Sequence, residues 1–399
     1  MKDVVIAGYL RTALSRSRPN DPARDCFSQL RGDELLAKLL PELIKRTGID
    51  AKEIDDFVVG SAMGVGEQWS YGGRIPILLA NLPETIAAKF VDQQCGSSLA
   101  AIEVGSMEIA QEYADIVMVG GYEHMTRVPM GGYTTDKGLI APNMALFMDP
   151  AYSHWDMMTT MNMGLTAEKL FKQSGFTKED MDRWGTRAHN LAAKAQKEGF
   201  FDGEILPIDA PQADGKMMKV DKDQAVRTDA TYEGMLELKP AFKKDGVITP
   251  GNSSPLNAAA TSMILMSAET AKKKGIKPMA AIRSFGFAGV DPTIMGVGPV
   301  PASKKALDRV GLKAKDVDYW EINEAFCIVA LNCIKELGID PERVNVMGGG
   351  TAIGHPLGAT GIRLVGTLAR ILEKKGGRYG IANACVGGGQ GVAALIERV

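Results

Sequence analysis

The chain has 399 residues, 45% of them hydrophobic, and a formal net charge of −2. That length allows two or three domains, the composition is that of a folded globular protein, and the near-neutral balance argues against nucleic acid as the main partner. No apolar run reaches membrane-spanning length, and the opening residues Met1–Ala7 enter a strand pattern directly, unlike a signal or transit peptide, so a cytoplasmic protein is expected.

Residues 3–8 (with Val4, Val5 and Ile6) read as a buried strand. Residues 33–47 read as an amphipathic helix, because Leu35, Leu36, Leu39, Leu40, Leu43 and Ile44 fall at helical spacing. Asp55–Met63 reads as a second strand running into a glycine-containing loop, and Gly73–Leu82 suits a helix. Phe90–Gly105 then reads as a strand end, a tight corner and a helix beginning at or just after Cys95. Ser97 and Ser98 are suited to cap that helix. A thiol at a helix N-terminus sits in positive partial charge, which predicts a stabilised thiolate and hence a nucleophile; taken alone, Cys95 reads more readily as a small core hydrophobe, and it is the rest of the chain that favours the nucleophile. Asp115–Gly121 is a further buried strand. Alternating helices and apolar strands predict an α/β fold with a mostly parallel sheet covered on both faces.

Residues 122–248 change character. They hold Met157, Met158, Met161 and Met163, which could form an adaptable apolar pocket or simply pack, one clear helix near 178–198, and a polar stretch Gln212–Thr231. This is too long for a simple connection and reads as a functional insertion. The apolar run Met263–Met266 should complete the first half's sheet.

An internal repeat organises the chain: Gly48–Val58 matches Gly311–Glu321 in phase, with about seven near-matching residues. In the second copy a strand at Val344–Met347 should lead to the glycine-rich corner Gly348–Gly361, which carries His355. Cys95 and His355 thus fall at equivalent strand-to-helix corners of two copies of one α/β unit. The domains expected are 1–121 plus 249–275, an insertion 122–248, and 276–399. Two further blocks carry chemistry. Trp320–Phe326 ends a strand at Asn323, and Asn383–Gly391 follows a short strand beginning at Tyr379. Glycines in the latter let backbone N–H groups approach a ligand, as an oxyanion hole requires, although a structural turn would look the same.

The five cysteines, Cys26, Cys95, Cys327, Cys333 and Cys385, are irregularly spaced with no Cys-x-x-Cys pair, which fits reduced thiols rather than a disulfide framework. No His/Cys cluster has metal-ligand spacing, so no metal site is expected. Gly8-Tyr-Leu-Arg is not a dinucleotide fingerprint.

Read together, Val91–Ser98, Gly120–Met125, Asn323–Phe326, Gly348–Gly361 and Cys385–Gly389 resemble the thiolase superfamily over almost the whole chain. Cys-Gly-Ser-Ser at Cys95 and the block Glu123–Met130 are most similar to degradative 3-ketoacyl-CoA thiolases. The resemblance implies duplicated βαβαβαββ halves with a loop domain inserted in the first, and thiolytic cleavage of 3-ketoacyl-CoA to acetyl-CoA and a shortened acyl-CoA, with the reverse acetyl-CoA acetyltransferase reaction as the alternative. It implies Cys95 as nucleophile, His355 as its activator, and Cys385 as the acid/base at the enolate. It assigns Asn323 to a water in one oxyanion hole, and the N–H groups of Cys95 and Gly387 to the other. CoA, a substrate and not a resident cofactor, would be met by Arg227, Phe242, Ser254, Ala325 and Phe326. Family members are homodimers or homotetramers, and some join a multienzyme β-oxidation partner.

Three departures touch the CoA contacts: Asn162-Met163-Gly164 where many members carry histidine before Met-Gly, Asn257-Ala258-Ala259 in place of Asn-Asp-Gly, and Gly234 in place of serine. Two rival readings follow: a decarboxylating condensing enzyme, disfavoured by Cys385, and a non-catalytic acyl-CoA or lipid carrier of the same fold, disfavoured by the intact reactive positions.

Overall fold

The computed structural model describes residues 2–129 and 142–399. Met130, the last residue of the block beginning at Glu123, lies outside them. Eleven strands are present among the described residues: β1 (Val4–Arg11), β2 (Asp56–Gly60), β3 (Ala87–Val91), β4 (Ile116–His124), β5 (Ile208–Pro211), β6 (Met217–Val220), β7 (Ala258–Ser267), β8 (Ala280–Gly289), β9 (Tyr319–Ile322), β10 (Tyr379–Val386) and β11 (Gln390–Glu397). Nine form one sheet in the order β3-β2-β4-β7-β1-β8-β11-β10-β9, and β5 and β6 form a separate hairpin.

The duplication is visible in the pairing. Outward from β1, the neighbours β7, β4, β2 and β3 pair antiparallel, antiparallel, parallel and parallel. Outward from β8, β11 and β10 pair antiparallel and β9 pairs parallel, and a single parallel bridge joins Trp320 to Val344. The two series meet where β1 and β8 pair antiparallel at Val4–Ile6. The repeated stretches each contain a short 3-10 turn, Ala51–Glu53 and Ala314–Asp316, before β2 and β9.

Two expectations are corrected. The sheet is mixed, with antiparallel pairs in the majority, because β7 and β11 are inserted between strands that would otherwise run parallel. The strand expected at Val344–Met347 shrinks to that one bridge. Asn345 has φ 48° and its side chain is drawn inward, accepting the Ile322 N–H at 2.8 Å and donating to Ile322 O at 2.9 Å, so the backbone turns out of the sheet.

The predicted helix over 33–47 is Gly32–Thr47, with all six named apolar residues buried and Gly48 closing it at φ 70°. The predicted 73–82 helix shortens to Arg74–Leu79, and the insertion helix is Lys178–Lys197. Two helices, Ser97–Ala110 and Leu357–Lys375, form the centre. Leu99, Ile102, Ile362 and Leu368 share one core with residues of both half-sheets, among them Val58, Val119, Ala382 and Val392. Both half-sheets therefore cover one helix pair, and separate cores lie beyond each. A helix buried on nearly every face needs such a position. No helix among the described residues is long and apolar enough to cross a membrane.

Close backbone approach fixes this centre. A Cβ on Gly121 of β4 would lie 2.2 Å from the Gly358 carbonyl oxygen, and one on Gly358 would lie 2.5 Å from the Tyr122 carbonyl oxygen. Ser98 Oγ accepts the Ile362 N–H at 3.1 Å, tying one central helix to the other. Gly121→Ala should therefore force β4 and the Leu357–Lys375 helix apart. The expected cost is about 1–3 kcal/mol, read as a lower denaturant midpoint, and an unchanged midpoint would refute this account of the packing.

Candidate active site

The chain leaves β3 at Val91 and turns through a 3-10 turn, Gln94–Gly96, before the Ser97 helix. Gln94 takes φ 48°, an uncommon conformation for a residue with a side chain, held by Asp92, whose Oδ1 accepts the Gln94 N–H at 2.8 Å. The turn sets Cys95 against the β10–β11 hairpin, where Gly388 and Gly389 carry φ of 82° and 80°. The Gly387 backbone N–H faces the Cys95 sulfur closely enough to favour its charged form.

The serines that follow do not cap the helix as expected. Ser97 Oγ accepts the Gln93 N–H at 3.0 Å and donates to Gln94 O at 2.6 Å, bracing the corner itself, while Ser98 reaches the other central helix. The expected thiolate is also corrected. Cys95 is 6% exposed, and burial pushes its thiol up to about 12, against the smaller downward pull of the N–H groups of Gly387 and Cys95 itself. Desolvation outweighs the favourable end of the helix.

Cys385 lies one residue before the end of β10 and is fully buried. Burial raises its thiol, and the neighbouring sulfurs of Cys95 and Cys333 raise it further, which puts Cys385 and Cys95 within electrostatic reach of each other. Cys333 and Cys327 sit inside the second half's core and Cys26 in the first; all five cysteines are free and buried.

The second corner is built by polar partners. Asn257 Oδ1 accepts the His355 N–H at 2.7 Å, while its Nδ2 donates to Ser15 O. Thr360 Oγ1 donates to Pro356 O at 2.9 Å and lies 2.7 Å from His355 Nδ1. A hydroxyl has one proton, so Thr360 must accept from Nδ1–H, and this assigns the tautomer that leaves Nε2 as the basic nitrogen. Asn323 Nδ2 donates to that nitrogen at 3.3 Å. Burial and then the Arg363 charge bring the imidazole down to about 3, so it is neutral at physiological pH.

Asn323 follows β9, with its N–H on Asn383 O at 2.9 Å, and its buried Oδ1 lacks a partner. Leu357, two residues past His355, packs in one small cluster with Cys95, Ala62 and Met125. The structure thus gathers both corners and the β10–β11 turn around one point. Of the four methionines named, Met163 approaches it, its sulfur 3.5 Å from where a Cβ on Gly387 would sit; Met158 and Met161 are exposed.

Sequence reasoning missed what holds the corners in register. Glu123 is fully buried at the end of β4 and accepts the N–H groups of Ala62 and Gly358, both at 2.9 Å, and hydrogen bonds from Ser61 and Gln68. Glu324, which could have been a surface charge, is also buried and accepts from Trp184, Asn345 and Thr351. An acidic residue at the end of an apolar strand was the one signal available.

A cavity of about 400 Å³ opens beside this centre, lined by Ser254, Arg227, His189, Pro250 and Thr351 among others. A smaller one of about 210 Å³ adjoins it through His189, Arg227 and Pro250 and is closed by Met235 and Leu238. Ser254 is held by its N–H on Ala325 O at 3.0 Å, and Ala325 and Phe326 are buried behind it. Phe242 lines neither cavity; its ring meets Phe326 edge-on at 5.9 Å and covers Gly164.

Residues 4–269 match the thiolase N-terminal domain and residues 276–398 the thiolase C-terminal domain. A 3-ketoacyl-CoA thiolase of Marinobacter nauticus is 40% identical over 403 residues, covering 100% of this chain and 99% of the relative. One from Aliivibrio fischeri is 40% identical with full coverage of both. The crystal structure of the Bacillus anthracis acetyl-CoA acetyltransferase superposes with a TM-score of 0.87 at 36% identity, covering 100% of this chain and 99% of that one. Paired domains, duplicated sheet and full-length likeness agree, and the chain belongs to the thiolase family.

Proposed function

We propose that this protein is an acyltransferase that cleaves 3-ketoacyl-CoA with CoA, giving acetyl-CoA and a shortened acyl-CoA by way of an acyl group on Cys95. The observation that carries the reading is a pair of buried sulfurs within electrostatic reach of each other and facing the Gly387 N–H, beside a corner packed on Cys95 through Leu357 that carries a neutral imidazole with an unprotonated Nε2.

In this reading His355 Nε2 takes the Cys95 proton as sulfur attacks the ketone carbon. The N–H groups of Gly387 and Cys95 hold the oxygen that becomes negative, a contribution of about 10²–10³ in rate for one such donor. The carbon–carbon bond then breaks. The acetyl-CoA enolate is held by the imidazole and by a water on Asn323, and Cys385 gives its proton to the enolate carbon. The imidazolium and the Cys385 thiolate neutralise each other by proton transfer. His355 next takes the proton of the entering CoA thiol, which attacks the acyl-Cys95 thioester, and that proton returns to the Cys95 sulfur. The steps are reversible, and the concentrations of the thioesters set whether the enzyme degrades 3-ketoacyl-CoA or makes acetoacetyl-CoA.

CoA lies along the cavity past Arg227 and Ser254, with Ala325 and Phe326 forming the wall behind Ser254. Phe242, partly exposed and edge-on to Phe326, extends that wall toward solvent. The insertion at 122–248 is the acyl- and CoA-binding domain in this division, with 1–121 plus 249–275 and 276–399 as the two halves. Five buried free cysteines support a reducing, cytoplasmic setting. Homo-oligomers are supported by β3, which pairs on one side only, and by exposed Trp69, Tyr71, Leu78 and Leu79.

Mixing the protein with acetoacetyl-CoA should leave an acetyl group on Cys95, detectable by mass spectrometry. Cys95→Ala should lose this adduct and lower kcat on the order of 10⁴-fold; a variant as active as the parent, or no CoA-dependent cleavage at any acyl length, would end the proposal. Cys385→Ala should separate the halves of the reaction. Acetyl exchange between Cys95 and CoA should persist while carbon–carbon cleavage falls about 10³-fold, and equal loss of both would remove Cys385 from the enolate step.

The pH profile gives a third check. With the free imidazole down to about 3 and the Cys95 thiol up to about 12, both are neutral between those limits. The acid side of kcat/KM should therefore show no inflection near pH 6.5. A limb there that His355→Gln abolishes would contradict the buried neutral imidazole.

A further inference from the structure

Arg227 of the insertion is the one cationic residue that the resemblance sets against CoA, but most of the cationic residues at the larger cavity come from elsewhere. Arg16, Arg18 and Arg24 line it together with Arg227. The first three belong to the connection that follows β1 in the first half. Arg16 and Arg18 are half-buried and the other two lie exposed at the rim. Among the described residues, Arg16, Arg18 and Arg227 make no ion pair, and Arg24 has only a loose one, 3.8 Å from Asp21. Asp21 is also the one carboxylate among the lining residues.

The remaining lining adds no compensating charge. His189 accepts the Arg227 N–H on Nδ1 at 3.2 Å, and burial with the charges of Arg227 and Arg16 brings it down to about 4, so it stays neutral. Burial and the charges of Arg18, Arg227 and Arg24 likewise depress the Arg16 guanidinium. Gathering guanidinium groups without partners is unfavourable in the empty protein, and a ligand carrying several negative charges relieves it. At its inner end the cavity reaches Ser254 and Thr351, and Thr351 precedes His355 by four residues on the glycine-rich corner. A ligand filling it has its anionic groups outermost and its reacting end inward.

We propose that Arg16, Arg18 and Arg24 bind the phosphate groups at the nucleotide end of CoA, so that the connection after β1, and not the insertion alone, distinguishes CoA thioesters from thioesters that lack the nucleotide. This rests on the CoA-dependent reaction proposed above. Planar guanidinium groups suit phosphate because each offers paired N–H donors in a fixed fork. Arg24 contributes from the rim, where solvent screens it most.

The test compares acetoacetyl-CoA with acetoacetyl-pantetheine, which carries the same reacting end without the nucleotide, in the parent and in Arg16→Ala, Arg18→Ala and Arg24→Ala. The ratio of kcat/KM between the two substrates should fall roughly 10- to 100-fold for Arg16→Ala and Arg18→Ala, and less for Arg24→Ala. The loss should fall on KM, and added salt should raise the parent's KM for the CoA thioester more than the variants'. Unmodified protein provides a measurement independent of any variant's folding: calorimetric titration should give tighter binding of CoA than of 3′-dephospho-CoA. An unchanged substrate ratio in the variants, or equal affinity for the two nucleotides, would overturn the assignment. If the parent cleaves neither thioester, the reaction itself is wrong, and the titration still decides whether these arginines read phosphate: weaker CoA binding by Arg16→Ala upholds it, equal binding or none refutes it.

Discussion

One buried carboxylate joins the two halves of this molecule at the place where they must cooperate. Glu123 takes the Ala62 N–H from the first half's loop and the Gly358 N–H from the start of the central helix that follows His355. Gly358 lies in the first turn of that helix, where a negative group is favoured. Burial alone pushes the acid up, and the donors from Ala62, Gln68, Gly358 and Ser61 pull it back. Such a group is costly to leave half-satisfied, so the arrangement of its donors is tightly specified. The distance between the Cys95 corner and the His355 corner inherits that specification through Ala62 and Leu357, which share one small buried cluster with Cys95.

The chemistry depends on a consequence of that burial. Desolvation acts in opposite directions on acids and bases, so the same dry pocket that raises the thiols lowers the imidazole. The resting site is therefore neutral, and charge is created only when substrate supplies an atom to carry it. Donors fixed beforehand by the fold then act on charge that develops during reaction and bind the ground state less strongly. A stable thiolate at a helix N-terminus would have been a more reactive but less discriminating sulfur.

The Cys95 and His355 corners, the Asn323 strand end and the terminal hairpin could be read from the sequence because each is local: a strand pattern, a glycine, a reactive residue, a helix pattern. Repetition of Gly48–Val58 at Gly311–Glu321 likewise carried the duplication. What escaped was decided by partners distant in the chain. Ser98 looks like a cap but bonds to Ile362. Asn345 interrupts what reads as a strand because its side chain bonds back to Ile322. Strand direction escaped because β7 lies far along the chain from the strands it separates. Arg16, Arg18 and Arg24 were passed over because arginines in an irregular connection look like ordinary solvated charge until a cavity gathers them with Arg227.

The two ends of the substrate path are physically opposite, and this divides binding from reaction. The outer cavity is rich in cations, most of them unpaired, and open to solvent, where attraction acts at a distance and is weakened by salt. The inner site is buried and neutral, where hydrogen-bond geometry decides. On the proposed assignment, binding energy gathered by arginines far from the reacting carbon holds a thioester in place against the Cys95 sulfur without stabilising any charge there. A long nucleotide handle on the substrate is then the means by which a neutral, desolvated site, poor at attracting ligands by itself, is filled in the correct orientation.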